Sequence, residues 1–316
     1  MNTRIFFASD VHGSERCFRK FVNAAKFYKA SALILAGDLT GKILVPIVEG
    51  KDGKFRFDFH GEPVTIGKEK VPEYQSELRN AGIYCFATNE AEMEELRADK
   101  ARSDRMFVEE MKRCLASWVS LAEERLKGTD VMCYISPGND DRFELDEIIR
   151  KGDHVSNPEN QVVQVAPKNQ MITLGYANIT PWHSPREVTE VELKTMIERL
   201  ADGVTDRAGS IFSIHVPPFG TELDKAPAVD EQLNYVREGM GTVKMTHVGS
   251  TAVREAIEKY QPLLGMHGHV HESRGFVKIG RTLCLNPGSD YGDGVLNGGL
   301  VSLEDGALKE FVLTSG

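Results

Sequence analysis

Five times along this chain a short apolar run stops at a polar turn built from Asp, Asn, His and Gly. Residues 5–9 lead into Asp10-Val11-His12-Gly13, residues 32–36 into Gly37-Asp38, and residues 131–136 into Pro137-Gly138-Asn139-Asp140-Asp141. Residues 210–214 reach the isolated His215, and residues 263–266 run into His267-Gly268-His269-Val270-His271. Apolar runs this short, bounded by turn residues, read as buried strands. A helical pattern over residues 15–30, with Phe18, Phe21, Val22 and Ala25 on one face, separates the first two runs. Two strands joined through a helix make a βαβ unit with a parallel sheet, so an α/β fold is expected. Ligands bind outside the carboxyl ends of such strands, which is where the polar turns fall.

The alternation breaks once. Residues 43–66 read as strands punctuated by Lys51-Asp52-Gly53, with Phe55, Phe57 and Phe59 alternating along one edge of a hairpin. Between residues 92 and 127, Phe107, Met111, Cys114, Leu115, Trp118, Ala122 and Leu126 recur at helical spacing. We therefore expect one domain over 1–316 with an insertion at 42–128. The Phe55-Phe57-Phe59 edge either packs within the insertion or forms a homodimer contact. Further helices are expected at 144–151, 188–200 and 253–260, and closing strands between 276 and 313.

With 41% hydrophobic and 27% charged residues, 316 residues supply an ordinary packed core. The formal charge of −9, from 38 basic against 47 acidic residues, argues against a protein that neutralises many phosphates of duplex nucleic acid. Cys17, Cys85, Cys114, Cys133 and Cys284 are scattered and form no Cys-x-x-Cys pair, so neither a disulfide framework nor a thiolate zinc site is indicated. No run approaches membrane-span length and the N-terminus lacks a cleavage-type signal, so the expectation is a cytoplasmic protein with no membrane partner.

Asp10, His12, Asp38, Asn139, His215, His269 and His271 are all metal-ligand types. Carboxylate, imidazole and amide oxygen together suit Mn, Fe, Ni or Zn. Asp38, after Gly37 at a strand end, is placed to bridge two ions, and a pair about 3.5–4 Å apart clamps an ester oxygen and activates water. Any one of these dipeptides also occurs as a helix cap or loop residue, so the weight lies on their joint order.

In that order, Ser-Asp-Val-His-Gly (9–13), Gly-Asp (37–38), Pro-Gly-Asn-Asp-Asp (137–141), His215 before Pro217-Pro218, and Gly-His-Val-His (268–271) resemble the motifs of the calcineurin-like metallophosphoesterase superfamily. The resemblance runs from Asp10 to Asn286, outside the inserted segment, and includes the Asn286-Pro287-Gly288-Ser289 turn. It implies a four-layer α-β-β-α sandwich of two mixed sheets flanked by helices, with two divalent metal ions at the sheet edge. Asp10, His12, Asp38 and His271 would hold the first ion, and Asp38, Asn139, His215 and His269 the second. The activity implied is hydrolysis of a small-molecule phosphate ester by a metal-bridging hydroxide that attacks phosphorus. Phosphodiesters are the first choice and phosphomonoesters the second; the rival is a non-catalytic metal-binding scaffold for protein interactions.

The family usually carries His after the Gly-Asn pair, and here that catalytic position holds Asp140. Keeping a proton on Asp at neutral pH requires raising its reference pKa by about three units, or about 4 kcal/mol, and nearby cations act in the opposite direction. Asp140 is therefore expected to be ionised, with Asp140 and Asp141 holding a water or orienting a histidine. His183 and His247 are the alternative proton donors, while His267 reads as a packed neighbour of the ligands. Substrate contacts are expected from Arg142 and from Gly249 and Ser250, whose helix start would offer free N–H groups to a phosphate. Trp182 either stacks on a base or packs in the core.

Overall fold

The computed structural model describes every residue except Met1, His60, Arg150 and Lys151. His60 of the insertion and the last residues of the helix expected over 144–151 thus lie outside the described residues.

The first apolar run is β1 (Asn2–Ala8), followed by α1 (Glu15–Tyr28), whose N-terminus is capped by the Ser14 side chain accepting from the Cys17 amide. β2 (Ala32–Ala36) lies parallel to β1. The insertion then supplies β3 (Ile43–Glu49), β4 (Phe55–Phe59), β5 (Glu62–Ile66), α2 (Val71–Asn80), β6 (Ile83–Asn89), α3 (Glu90–Ala98) and α4 (Lys100–Leu126). β7 (Met132–Ser136) returns beside β2, and α5 (Asp146–Ile149) and β8 (Val155–Ser156) follow. The second half begins with β9 (Val162–Ala166), β10 (Asn169–Leu174), β11 (Ala177–Asn178), β12 (Glu187–Val188), α6 (Glu190–Asp202) and β13 (Ile211–Ile214). Two small antiparallel ribbons come next, from β14 (Lys225–Pro227), β15 (Arg237–Glu238), β16 (Thr242–Val243) and β17 (Met245–His247). α7 (Thr251–Tyr260), β18 (Leu264–Met266), β19 (Gly275–Ile279), β20 (Thr282–Asn286), β21 (Asn297–Glu304) and β22 (Ala307–Ser315) complete the chain.

Two six-stranded mixed sheets result, in the orders β22-β21-β1-β2-β7-β8 and β19-β20-β18-β13-β10-β9. The alternation of side chains along each strand sorts them into layers. Ile5, Phe7 and Ile34 of the first sheet meet Met171, Ile211 and Leu264 of the second in a shared core. Phe6, Leu33 and Leu35 face the other way, onto α1 and α4. Ile172 and Phe212 pack against Leu193 and Ile197 of α6 and Val253 and Ile257 of α7. The architecture is the expected four-layer sandwich, and burial on both faces explains why the strands read as continuous apolar runs.

The insertion holds more order than its sequence announces. β3 pairs in parallel with β6, from Ile43 opposite Ile83 to Glu49 opposite Asn89, in a four-stranded sheet β5-β4-β3-β6. Phe55 and Phe57 pack inward with Ile47 and Leu78, and Phe59 lies against the same cluster, so that edge is filled from within. The long helical pattern is two helices, divided at Asp99, whose side chain caps α4 by accepting from the Arg102 amide. Leu115, Trp118, Ala122 and Leu126 of α4 belong to the core under the first sheet, where Trp118 stacks on Phe18 at 4.3 Å. No helix among the described residues is long and apolar enough to cross a membrane.

Candidate metal centre

Asp10 and His12 follow β1, Asp38 follows β2, Asn139 follows β7, His215 follows β13, and His269 and His271 follow β18. These are the carboxyl ends of strands in both sheets, and the turns interlock through their backbones. The Asp10 amide donates to Gly37 O at 3.0 Å, His12 to Asp38 O at 3.0 Å, Gly37 to Ser136 O at 3.0 Å, and Gly268 to His215 O at 2.9 Å. The His269 amide donates to the Asp10 carboxylate at 3.0 and 3.1 Å. So close an approach explains two glycines of the motifs. A Cβ on Gly37 would overlap the His215 ring, and one on Gly268 would overlap the Ser9 and Asp10 side chains. Four of the seven ligand-type residues sit in the left-handed region, with φ of 55° at Asp10, 39° at His12, 50° at Asp38 and 68° at His269. Each costs roughly 1–3 kcal/mol for a side-chain-bearing residue and persists only where the surroundings over-determine it.

Their side chains converge. His12 Nε2 lies 3.0 Å from His271 Nε2, and His271 Nε2 lies 3.4 Å from Asp10 Oδ1. His12 Nε2 is 3.6 Å from Asp38 Oδ2, while His215 Nε2 is 3.4 Å from Asp38 Oδ1 and 3.8 Å from Asp10 Oδ1. His269 Nδ1 lies 2.8 Å from Asn139 Oδ1. Asp10, His12, Asp38, Asn139 and His215 are buried, whereas His269 and His271 border solvent. His12 Nδ1 and His215 Nε2 are buried without a hydrogen-bond partner.

Burial, then the nearby Asp140, pushes the Asp38 carboxyl up to about 6. Burial opposes charge on His215, but Asp38 and Asp10 outweigh it and hold the ring up at about 9. A buried pair that retains a proton in this way is what a cation displaces. The donor set of carboxylates and imidazoles, with an orphaned ring nitrogen aimed between two carboxylates, fits a divalent metal ion. His267 stands behind it, buried, its Nδ1 2.8 Å from Ile214 O and its pKa lowered by burial to about 4.

Around this core lie the other residues that the sequence singles out. Asp140 makes no hydrogen bond to a histidine among the described residues: its carboxylate takes Lys42 Nζ at 2.5 Å, Ser184 Oγ at 2.5 Å and Asn139 Nδ2 at 3.0 Å, while it also lies within 4.8 Å of ligand atoms of His12 and Asp38. Burial works against its charge, yet Lys42 above all holds the carboxyl well below the usual range. Asp141 is fully buried and accepts from the Gly138, Leu39 and Thr40 amides and the Thr40 hydroxyl, so it ties two ligand turns together and touches no histidine. His183 is exposed on the wall of a cavity that adjoins the centre. His247 is engaged elsewhere, its Nδ1 2.8 Å from the buried Asp224. Arg142 borders the cavity and pairs with Asp104 at 2.6 Å.

The N–H groups at the start of α7 are not free. Ser250 caps Val253 and donates to Glu190, the Thr251 and Ala252 amides also go to Glu190, and the Gly249 amide goes to Asp224. Glu190 holds the anion position that a substrate phosphate would need. Trp182 is 60% exposed, so it is not a core residue.

Sequence reasoning assigns no role to Lys42, Ser184 or Arg186, although Arg186 closes a Pro-Trp-x-x-Pro-Arg stretch. Arg186 is buried and staples the third ligand turn through Asp141 O at 2.9 Å, Arg142 O at 3.2 Å and Asp146 at 2.6 Å. That stretch, over residues 181–186, is the available sequence signal for it.

No protein-family model matches the chain. A curated relative, the uncharacterized protein MJ1162 of Methanocaldococcus jannaschii, is 31% identical over 161 residues, which is 50% of this chain and 63% of that protein. The match therefore spans less than two thirds of that relative's length. Among solved structures, one crystal structure superposes with a TM-score of 0.59 at 14% identity, covering 99% of both chains. TT1561 of Thermus thermophilus superposes with a TM-score of 0.55 at 15% identity, covering 100% of this chain and 99% of its own. At such identities the likeness establishes the fold alone, the four-layer sandwich described above.

Proposed function

We propose that this chain is a dimetal-dependent phosphoester hydrolase acting on phosphodiesters. The observation that carries the reading is the convergence of His12, His215 and His271 on the buried Asp10 and Asp38 carboxylates, with Asn139 and His269 alongside. When bound, divalent ions supply Lewis-acid stabilisation of phosphoryl charge and an activated water. Asp10, His12, Asp38 and His271 would hold one ion, and Asp38, Asn139, His215 and His269 the other, with Asp38 between them. The Asp140 amide donates to Asp38 Oδ1 at 3.1 Å and fixes the carboxylate that would be shared.

Lys42 brings an ammonium group to the mouth of the centre, where it would meet a non-bridging phosphoryl oxygen as a charge-assisted donor. Asp140, ionised against Lys42, has no proton to deliver, and His183, which lines the cavity, would serve the leaving oxygen. Asp140 and Glu272 line the cavity together with Lys42 and Arg142, and the −9 formal charge of the chain as a whole favours the single negative charge of a diester over the dianion of a monoester.

The test is a metal analysis of the purified chain together with turnover of bis(p-nitrophenyl) phosphate and p-nitrophenyl phosphate after reconstitution with Mn, Ni, Fe or Zn. We expect two ions per chain and faster turnover of the diester. Bound metal with no turnover of either ester would replace this reading with that of a metal-binding interaction module.

A further inference from the structure

A cavity of about 1120 Å³ opens from the candidate metal centre, with Asp38, Asn139, His269 and His271 in its floor. Pockets for small organic ligands run to about 300–1,000 Å³, so this one is far larger than a phosphate or a methyl ester requires. Its walls come from outside the two sheets: the loop between β11 and β12, the ribbons of β14 to β17, and α4. On those walls Trp182 and Tyr235 are each 60% exposed, and among the described residues neither packs against a further ring.

The Trp182 loop is held in place. Thr180 is fixed by Glu187 through its amide at 2.9 Å and its hydroxyl at 2.5 Å, and the Trp182 amide donates to the Thr180 hydroxyl at 3.2 Å. Beyond it, Ser184 donates to Asp140 and the Arg186 amide donates to Asn139 O at 3.0 Å. The loop is therefore bonded to the turn that carries a candidate metal ligand, which sets the span from Trp182 to the floor. The same cavity is lined by the ligand cluster and Lys42, which suit an anion, and by two aromatic side chains in contact with water.

We propose that the cavity takes a phosphate ester bearing a nucleobase, with the phosphate at the floor and Lys42 and the base stacked on Trp182, Tyr235 lining the same cavity. The proposal rests on reading the centre as a phosphoester site. Flat π surfaces with polar edges favour a heteroaromatic ring over an alkyl chain, and base–aromatic stacking is strong enough to be read in a binding measurement.

The chain has two tryptophans, and Trp118 is buried against Phe18, so a ligand-dependent change in emission reports Trp182. Fluorescence and calorimetric titrations of the full chain with AMP and with ribose 5-phosphate, in chelator and with Mn, compare ligands that differ by the base alone. We expect AMP to quench the emission and to bind about tenfold or more tightly than ribose 5-phosphate. That preference should vanish in Trp182→Ala and largely survive, followed by calorimetry, in Trp182→Phe. Equal affinity for the two ligands in the unaltered chain, or tighter binding of dodecyl phosphate than of AMP, would overturn the proposal. An AMP preference without hydrolysis of any ester would sustain it while removing the hydrolase reading; hydrolysis without an AMP preference would do the reverse.

Discussion

Lys42 is the residue through which the insertion reaches the candidate metal centre. Its ammonium is half-exposed and lies 2.5 Å from Asp140, which is itself pinned by Ser184. An Asp after the Gly-Asn pair is a poor acid by its reference pKa, and the structure adds a specific cation that keeps it charged. The same pairing aims Lys42 at whatever anion occupies the ligand cluster. A hydrogen bond to a charged group contributes about 1.5–3 kcal/mol, so Lys42→Met is expected to raise KM for an anionic diester by about tenfold or more, with a smaller change in kcat. Steady-state kinetics on bis(p-nitrophenyl) phosphate would read this, with metal content measured in parallel; an unchanged KM would mean that Lys42 serves Asp140 alone.

Among the elements, α4 has a double allegiance. Phe107 and Met111 border the cavity, while Leu115, Trp118, Ala122 and Leu126 form part of the core beneath the first sheet. The smaller sheet β5-β4-β3-β6 has a separate core of its own. Trp118 is 3% exposed and stacked on Phe18 with an interplanar angle of 6°. Trp118→Ala should therefore cost the whole sandwich about 3–5 kcal/mol by chemical denaturation, the usual loss for a large buried aromatic. A loss below about 1 kcal/mol would place α4 with the insertion's own core instead. The periodicity over 92–127 revealed the helical character of this stretch but not the division at Asp99, because a capping Asp inside a polar face leaves the apolar spacing undisturbed. α2 and β6 are not read from the sequence: α2 packs mainly on β6, and β6 finds its parallel partner β3 only across the intervening hairpin and helix.

At the scale of the whole molecule, metal binding, protonation and stability are linked. In the metal-free protein His215 is held up at about 9 by Asp38 and Asp10. A group raised above its unfolded value of about 6.5 stabilises the fold below that pH and loses the contribution as pH rises through the folded value. A divalent ion must displace that proton, so its apparent affinity rises over the same interval. Thermal melts in Mn and in chelator should therefore diverge between about pH 6.5 and 9. At a free metal concentration of a hundred times Kd the stabilisation would be about 2.7 kcal/mol. Melts that stay parallel across this range would remove His215 from the metal site.

The sequence by itself determined where the strands end and which seven side chains the turns present, because apolar runs and turn residues act over a few positions of chain. Only the tertiary structure decided the rest. Lys42 meets Asp140, Glu190 fills the helix start that Ser250 opens from 60 residues away, and the Asp140 amide holds Asp38 across 102 residues. Trp182 is left in the cavity wall and not in the core by the same kind of long-range packing. Such contacts depend on how two sheets stack and how their loops interlock, and no local pattern of residue types encodes that geometry.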